Sequence, residues 1–205
     1  MILLCAWVLS AFPELRAGEE KPGSPDSFFA AVATVKSLSC RFSQEQAIRG
    51  LSRPIRLTGS YHMTREGDLA WIVRSPMRFY CVIRNGKLTS WDAETGRERS
   101  IDLKEHPAFS VMIDMMKDFF AGRISVTKDY RCTLLSAHKI LLIPAPHNPL
   151  AGNVAEIGIT LSADRRSITV IEIAACGGDR TTMRFEEIVL DRPIPESVWK
   201  NGAER

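Results

Sequence analysis

From Ser39 to Leu190, segment after segment alternates apolar and polar residues with a period of two, and most gaps between segments are hairpin-short. Only a pleated strand sends every second side chain to the same face, so the pattern predicts β-structure. Cys40, Phe42 and Gln44 alternate with Arg41 and Ser43, and Ile55, Leu57 and Gly59 alternate with Arg56 and Thr58. Leu69 to Val73, Arg78 to Ile83, Lys87 to Trp91 and Arg97 to Leu103 read as further strands. Tyr130 to Ser136, Lys139 to Ile143, Val154 to Leu161, Ser167 to Ala174 and Arg180 to Leu190 complete the series. Asn85-Gly86 is a two-residue turn whose positions both tolerate positive φ. Ala93 to Gly96, Asp164 to Arg166 and Gly177 to Asp179 supply other reversals. Short connections make neighbours antiparallel, and roughly eleven sequential strands must split into two sheets or curl towards a barrel.

Two segments depart from that period. Ser24 can cap a helix that has Pro25 in its first turn and carries Phe28, Phe29, Val32, Val35 and Leu38 at helical spacing. A second helix is predicted between Pro107 and Gly122, with a broad apolar stripe of Phe109, Met112, Ile113, Met116, Phe119 and Phe120. The fold class expected is therefore α+β and mainly antiparallel β.

The N-terminus reads differently again. Residues 1–17 contain an apolar run from Ile2 to Phe12 and a small residue, Ala17, at a cleavage position, as a signal peptide would. Met1 is followed at once by Ile2 with no basic region, so a short buried helix is the alternative reading. Residues 18–25 form a polar, flexible lead-in, and residues 26–205 form one domain. Removal of a leader would leave Cys40, Cys81, Cys132 and Cys176. In an oxidising compartment four cysteines allow three pairings, and four separate thiols are an equal alternative.

The chemistry-bearing patterns are sparse. No nucleophile elbow, phosphate-binding loop, zinc-protease motif or dinucleotide fingerprint is present, and no pair of histidines has ligand spacing. Neither a metal nor another cofactor is expected, and binding is favoured over catalysis. A net charge of +3 and the lack of DNA-binding signatures argue against nucleic acid as partner. Arg41, Arg49, Arg53, Arg56, Arg65, Arg74, Arg78 and Arg84 crowd one region; they suit lipid headgroups, an acidic partner or simply a solvated sheet face.

Several elements together resemble the LolA-type periplasmic lipoprotein carriers. Phe42-Ser43-Gln44 stands where that family has F-x-Q, and Gly59 to Arg65 is similar to its G-x-L-x-x-x-R strand. Trp71, Ser75-Pro76, Ile83 to Leu88 and Trp91-Asp92 follow in the family's order, and Gly178 to Phe185 is similar to a late strand entry. The resemblance spans about Phe28 to Trp199 and is that of a shortened, divergent relative. It implies an unclosed, half β-barrel covered by helices, located in the periplasm as an exported soluble protein. It also implies that acyl chains of a lipoprotein or other lipid are received from an inner-membrane exporter and passed to an outer-membrane acceptor. Arg65 takes the position of the family's lid latch, although Glu66 follows it where the family has proline. Trp71 and Trp91 would line the cavity, and the apolar spacing of Phe109, Met112, Met116 and Phe119, not a family motif, makes them its expected helical cover. A periplasmic sensor of lipid or lipoprotein on the same scaffold is the alternative.

Overall fold

The computed structural model describes residues 24–105, 126–148 and 150–200. The alternating segments form β1 (Ser37–Ala47), β2 (Ile55–Thr64), β3 (Leu69–Ser75), β4 (Phe79–Arg84), β5 (Lys87–Asp92) and β6 (Arg97–Asp102). After the intervening stretch come β7 (Tyr130–Ser136), β8 (Lys139–Pro144), β9 (Val154–Leu161), β10 (Ile168–Ala175) and β11 (Arg180–Leu190). The Asn85-Gly86 turn has positive φ at both residues (53° and 74°), which pins β4 to β5 in register.

All eleven strands join one antiparallel sheet in the order β6-β5-β4-β3-β2-β1-β11-β10-β9-β8-β7. Each half is a meander of hairpins, and the two halves meet where the first strand pairs with the last. Leu38 faces Leu190 and Ala47 faces Arg180 along that seam. β6 and β7 lie at opposite edges, so the sheet stays open.

Helical cover is sparse among the described residues. Val126–Asp129 and Glu196–Trp199 are single α-turns, and Pro25–Ser27, Val32–Thr34 and Leu103–Glu105 are 3-10 turns. The helix predicted from Ser24 is thus corrected to two separate 3-10 turns. Ser24 does cap the first, accepting from the Ser27 amide at 3.4 Å, and Pro25 occupies its opening position. The second has no side-chain cap, and its β-branched Val32, Thr34 and Val35 resist helical extension. By Val35 the chain is already extended, at φ −70° and ψ 133°. Residues 24–36 therefore form a strap rather than a helix. The predicted leader and the predicted second helix, with Phe109, Met112, Met116 and Phe119, lie outside the described residues.

Alternation gives the sheet two unlike faces. The first carries the main core, including Leu38, Phe42, Tyr61, Met63, Leu69, Ile83, Leu88, Ile140, Leu142, Ile159 and Phe185, with Phe28, Phe29 and Val32 of the strap packed against it. The second has a small apolar cluster of Ala70, Ile72, Tyr80 and Val82, against which Val198 of the C-terminal segment packs.

One break in the alternation serves the first face. On β11, Met183 and Phe185 pack on it, and so do Ile188 and Leu190, which have the opposite parity. Between Ser39 and Arg41 the register slips, so that Glu187 and Ile188 of β11 oppose Cys40 alone on β1. Glu187 takes φ 52° at that slip. This β-bulge absorbs one residue and returns the next apolar pair to the same face.

Candidate functional site

The strap lies on the first face because its apolar residues have nowhere drier to go. Phe28 and Phe29 are each 1% exposed and meet edge to face, with ring centroids 4.9 Å apart. Two arginines from different halves of the sheet hold its backbone. Arg65, just past β2, donates from Nε to the Val35 carbonyl at 3.3 Å and from Nη2 to the Ala33 carbonyl. Its own amide donates to the Lys36 carbonyl at 2.8 Å. Arg165, in the β9–β10 turn at φ 59°, donates from Nη2 to the carbonyls of Phe28 (3.4 Å) and Ser27 (3.5 Å). Its guanidinium lies 6.0 Å from the Phe28 ring centroid, a cation–π contact.

The residue implied as a latch therefore stands beside the strap, bonded to uncharged main-chain oxygens. Arg165 belongs to the same arrangement and escaped sequence reasoning. Its signal was only the three-residue Asp164-Arg165-Arg166 turn, and no local pattern says which distant segment a turn will touch.

Near the end of the strap a cleft of about 150 Å³ opens, with Val32, Val35, Leu38 and Met63 in its walls and Arg65 among its polar lining. Asp191, just past the end of β11, ties this corner together. It accepts from the Lys36 amide at 2.7 Å and pairs with Arg166. Those two contacts, the amide first, hold its carboxyl below the ordinary carboxylate range.

The two tryptophans assigned to one cavity do not share a face. Trp71 on β3 packs in the main core, 4.3 Å from the Phe42 ring centroid and 5.5 Å from that of Tyr61. Trp91 on β5 lies on the second face, stacked on Tyr80 at 5.7 Å. The correction follows from register: Tyr80 opposes Trp91 while Trp71 opposes Cys81, and the parity of β4 separates them.

Gly59 on β2 sits where β3 and the Phe42 ring come close. A Cβ built on Gly59 would come 1.9 Å from the Ile72 carbonyl oxygen and 2.8 Å from Phe42 Cε1. Only a glycine lets the Phe42 ring and the neighbouring strand approach so closely.

The arginine-rich region is largely engaged in pairs. Arg41 meets Glu187 at 3.1 Å and Arg56 meets Glu45 at 2.9 Å, both on exposed surface. Arg84 does more. It binds both oxygens of Glu196 at 2.8 and 2.9 Å, approaches Asp68 at 3.3 Å and lies 5.3 Å from the Trp199 ring centroid. It so clamps the C-terminal segment over the second face, a role that sequence reasoning also missed.

The four cysteines, left open between bridges and separate thiols, are free. Burial pushes the Cys40 thiol up to about 12 and the Cys81 thiol up to about 11, while Cys176 is exposed. His62 is pushed down, first by burial and then by Arg74, and bonds the Ser39 hydroxyl at 2.9 Å. Among the described residues no group of three His, Cys, Asp or Glu is placed to hold a metal ion, and no helix is long and apolar enough to cross a membrane.

The fold has counterparts among solved structures. An uncharacterized conserved protein from Thermus thermophilus superposes with a TM-score of 0.55 at 9% identity, covering 87% of this chain and 94% of its own. The Pseudomonas aeruginosa MucA/MucB complex gives 0.53 at 12%, covering 87% of this chain and 61% of the matched one. A LolA superfamily protein, NE2245 from Nitrosomonas europaea, gives 0.41 at 8%, covering 84% and 96%. The fold is shared with the first two of these. At such identities the likeness is one of fold and does not extend to activity. No family model and no curated protein matches the sequence.

Proposed function

We propose that this LolA-like chain is a periplasmic carrier that binds the acyl chains of a lipoprotein or other lipid on its first face, beneath the strap. It takes the cargo from an inner-membrane donor and delivers it to an outer-membrane acceptor, and it catalyses nothing. The observation that carries this reading is the strap itself. Its aromatic pair is buried on the apolar face, yet the side-chain bonds from Arg65 and Arg165 that hold it end on main-chain carbonyls.

The magnitudes suit exchange. Burial of Phe28, Phe29 and Val32 contributes about 2 kcal/mol each, and the arginine bonds about 1 kcal/mol apiece. An acyl chain contributes on the order of 0.8 kcal/mol per buried methylene, so about a dozen methylenes offset the displaced strap. Ligand and strap thus compete for one surface on nearly equal terms, and loading and release can both proceed.

Purification of the protein from its native envelope under mild conditions, with mass spectrometry of organic extracts, tests the proposal. A stoichiometric acylated species is expected. A fresh preparation free of acylated species, which also takes none up from vesicles, would overturn it.

A regulatory role on the same fold is favoured by the similarity to MucB as seen with MucA. Co-purification with a membrane regulator, without cargo transfer between membranes, would decide for that alternative.

A further inference from the structure

The cleft at the end of the strap has a charge pattern that a purely apolar cargo does not need. Lys36, Arg65 and Arg166 all line it, and no acidic side chain does among the described residues. Val32, Leu38 and Met63, in the walls of the same cleft, are members of the main core. Cations and the apolar face therefore meet within one small space.

We infer that this cleft is the subsite for a phosphate-bearing headgroup of net negative charge, on the lipid whose acyl chain lies on the first face; the inference rests on the carrier reading. Guanidinium forks match phosphate oxygens in geometry, and an ammonium adds a mobile point charge. A volume of about 150 Å³ is below the several hundred Å³ of a complete small-molecule site, so it takes a headgroup and leaves the chain to the apolar face. The three cations have different freedoms. Arg65 is bonded to the strap, and Arg166 to Asp191. Lys36 uses its backbone for structure, donating to Asp191 and accepting from Arg65, while its exposed side chain is available to close over a ligand. Phosphate entering here meets Arg65 at the bonds that hold the strap, which couples headgroup recognition to opening.

Calorimetric titration of the full chain with dihexanoyl phosphatidylglycerol, dihexanoyl phosphatidylcholine and inorganic phosphate tests this. The anionic lipid is expected to bind about tenfold more tightly than the zwitterionic one, with the advantage shrinking as salt is raised. Lys36→Glu removes that advantage, and a far-ultraviolet circular dichroism spectrum matching that of the parent shows that the variant is folded. Equal affinity for the two lipids overturns the headgroup subsite and leaves the carrier reading standing. Binding of neither lipid overturns both. Inorganic phosphate bound as tightly as the anionic lipid makes the cleft a free-anion site and overturns the inference.

Discussion

Nε of Arg65 donates to the main-chain oxygen of Val35 across 3.3 Å, joining the end of β2 to the strap that crosses the apolar face. A charged donor on an uncharged acceptor, at an exposed site, contributes about 1 kcal/mol. Arg65→Leu is expected to loosen the strap without unfolding the sheet. Hydrogen exchange at the amides of Ala33 and Thr34 should accelerate about thirtyfold, in keeping with the loss of two such bonds, while β9 and β10 stay protected. Unchanged exchange in the strap would rule out the latch, whatever happened to cargo uptake.

Gly59 is the position where one added methyl does most harm. Its Cβ would meet Ile72 backbone and the Phe42 ring at once, and backbone cannot yield as a flexible side chain does. Gly59→Ala should lose about 3 kcal/mol, read as a lower urea midpoint with an unchanged slope. A loss below about 1 kcal/mol would mean that the β2–β3 contact is looser than described.

The buried thiols give a pH dependence on the alkaline side. Cys40 and Cys81 ionise near 9.0 when unfolded, but only at about 12 and about 11 in the folded protein. Above pH 9 the unfolded chain sheds protons that the folded chain keeps, so stability is full well below pH 9 and falls from there to about pH 11 for Cys81 and about pH 12 for Cys40. The slope approaches about 1.4 kcal/mol per pH unit for each thiol at its steepest. Denaturant midpoints measured from about pH 8 to 10.5 check the sign, and Cys40→Ala should flatten the decline. In the native state at about pH 8, iodoacetamide should alkylate exposed Cys176 well before Cys40.

The clamp on the C-terminal segment should respond to acid. Hydrogen bonding to Arg84 holds the Glu196 carboxyl below its ordinary value of 4.5. The clamp is therefore complete at neutral pH and is released as pH falls through that depressed value. The fluorescence difference between the parent protein and Trp199→Phe isolates Trp199 and should shift to the red below pH 4.5. Glu196→Gln should show the shifted spectrum already at neutral pH; an unshifted spectrum in that variant would mean that packing against Val82 and Tyr80 holds the segment without the ion pair.

Strand count and turn positions were legible because both are local. Alternation over five or six residues and an Asn-Gly pair each carry their own physical cause, and the structure keeps all eleven predicted segments. The break in phase from Phe185 to Ile188 has a local cause as well, since apolar residues spaced by three within a strand demand a bulge. The strap was harder to read. Its apolar spacing suits a helix equally well, and the β-branched run that ends the turn at Thr34 decides only in combination with the sheet beneath it.

Local chemistry along the chain was thus enough for an antiparallel run of eleven strands and one predominantly apolar face. Whatever depends on residues far apart was chosen only by the folded whole. Folding paired β1 with β11 to make one open sheet, set Trp71 and Trp91 on opposite faces, and laid the strap between Arg65 and Arg165. The difference is one of range: a turn or an alternation is settled by neighbours. A seam, a face or a latch is settled only when burial of the whole apolar surface chooses among arrangements that are locally equivalent.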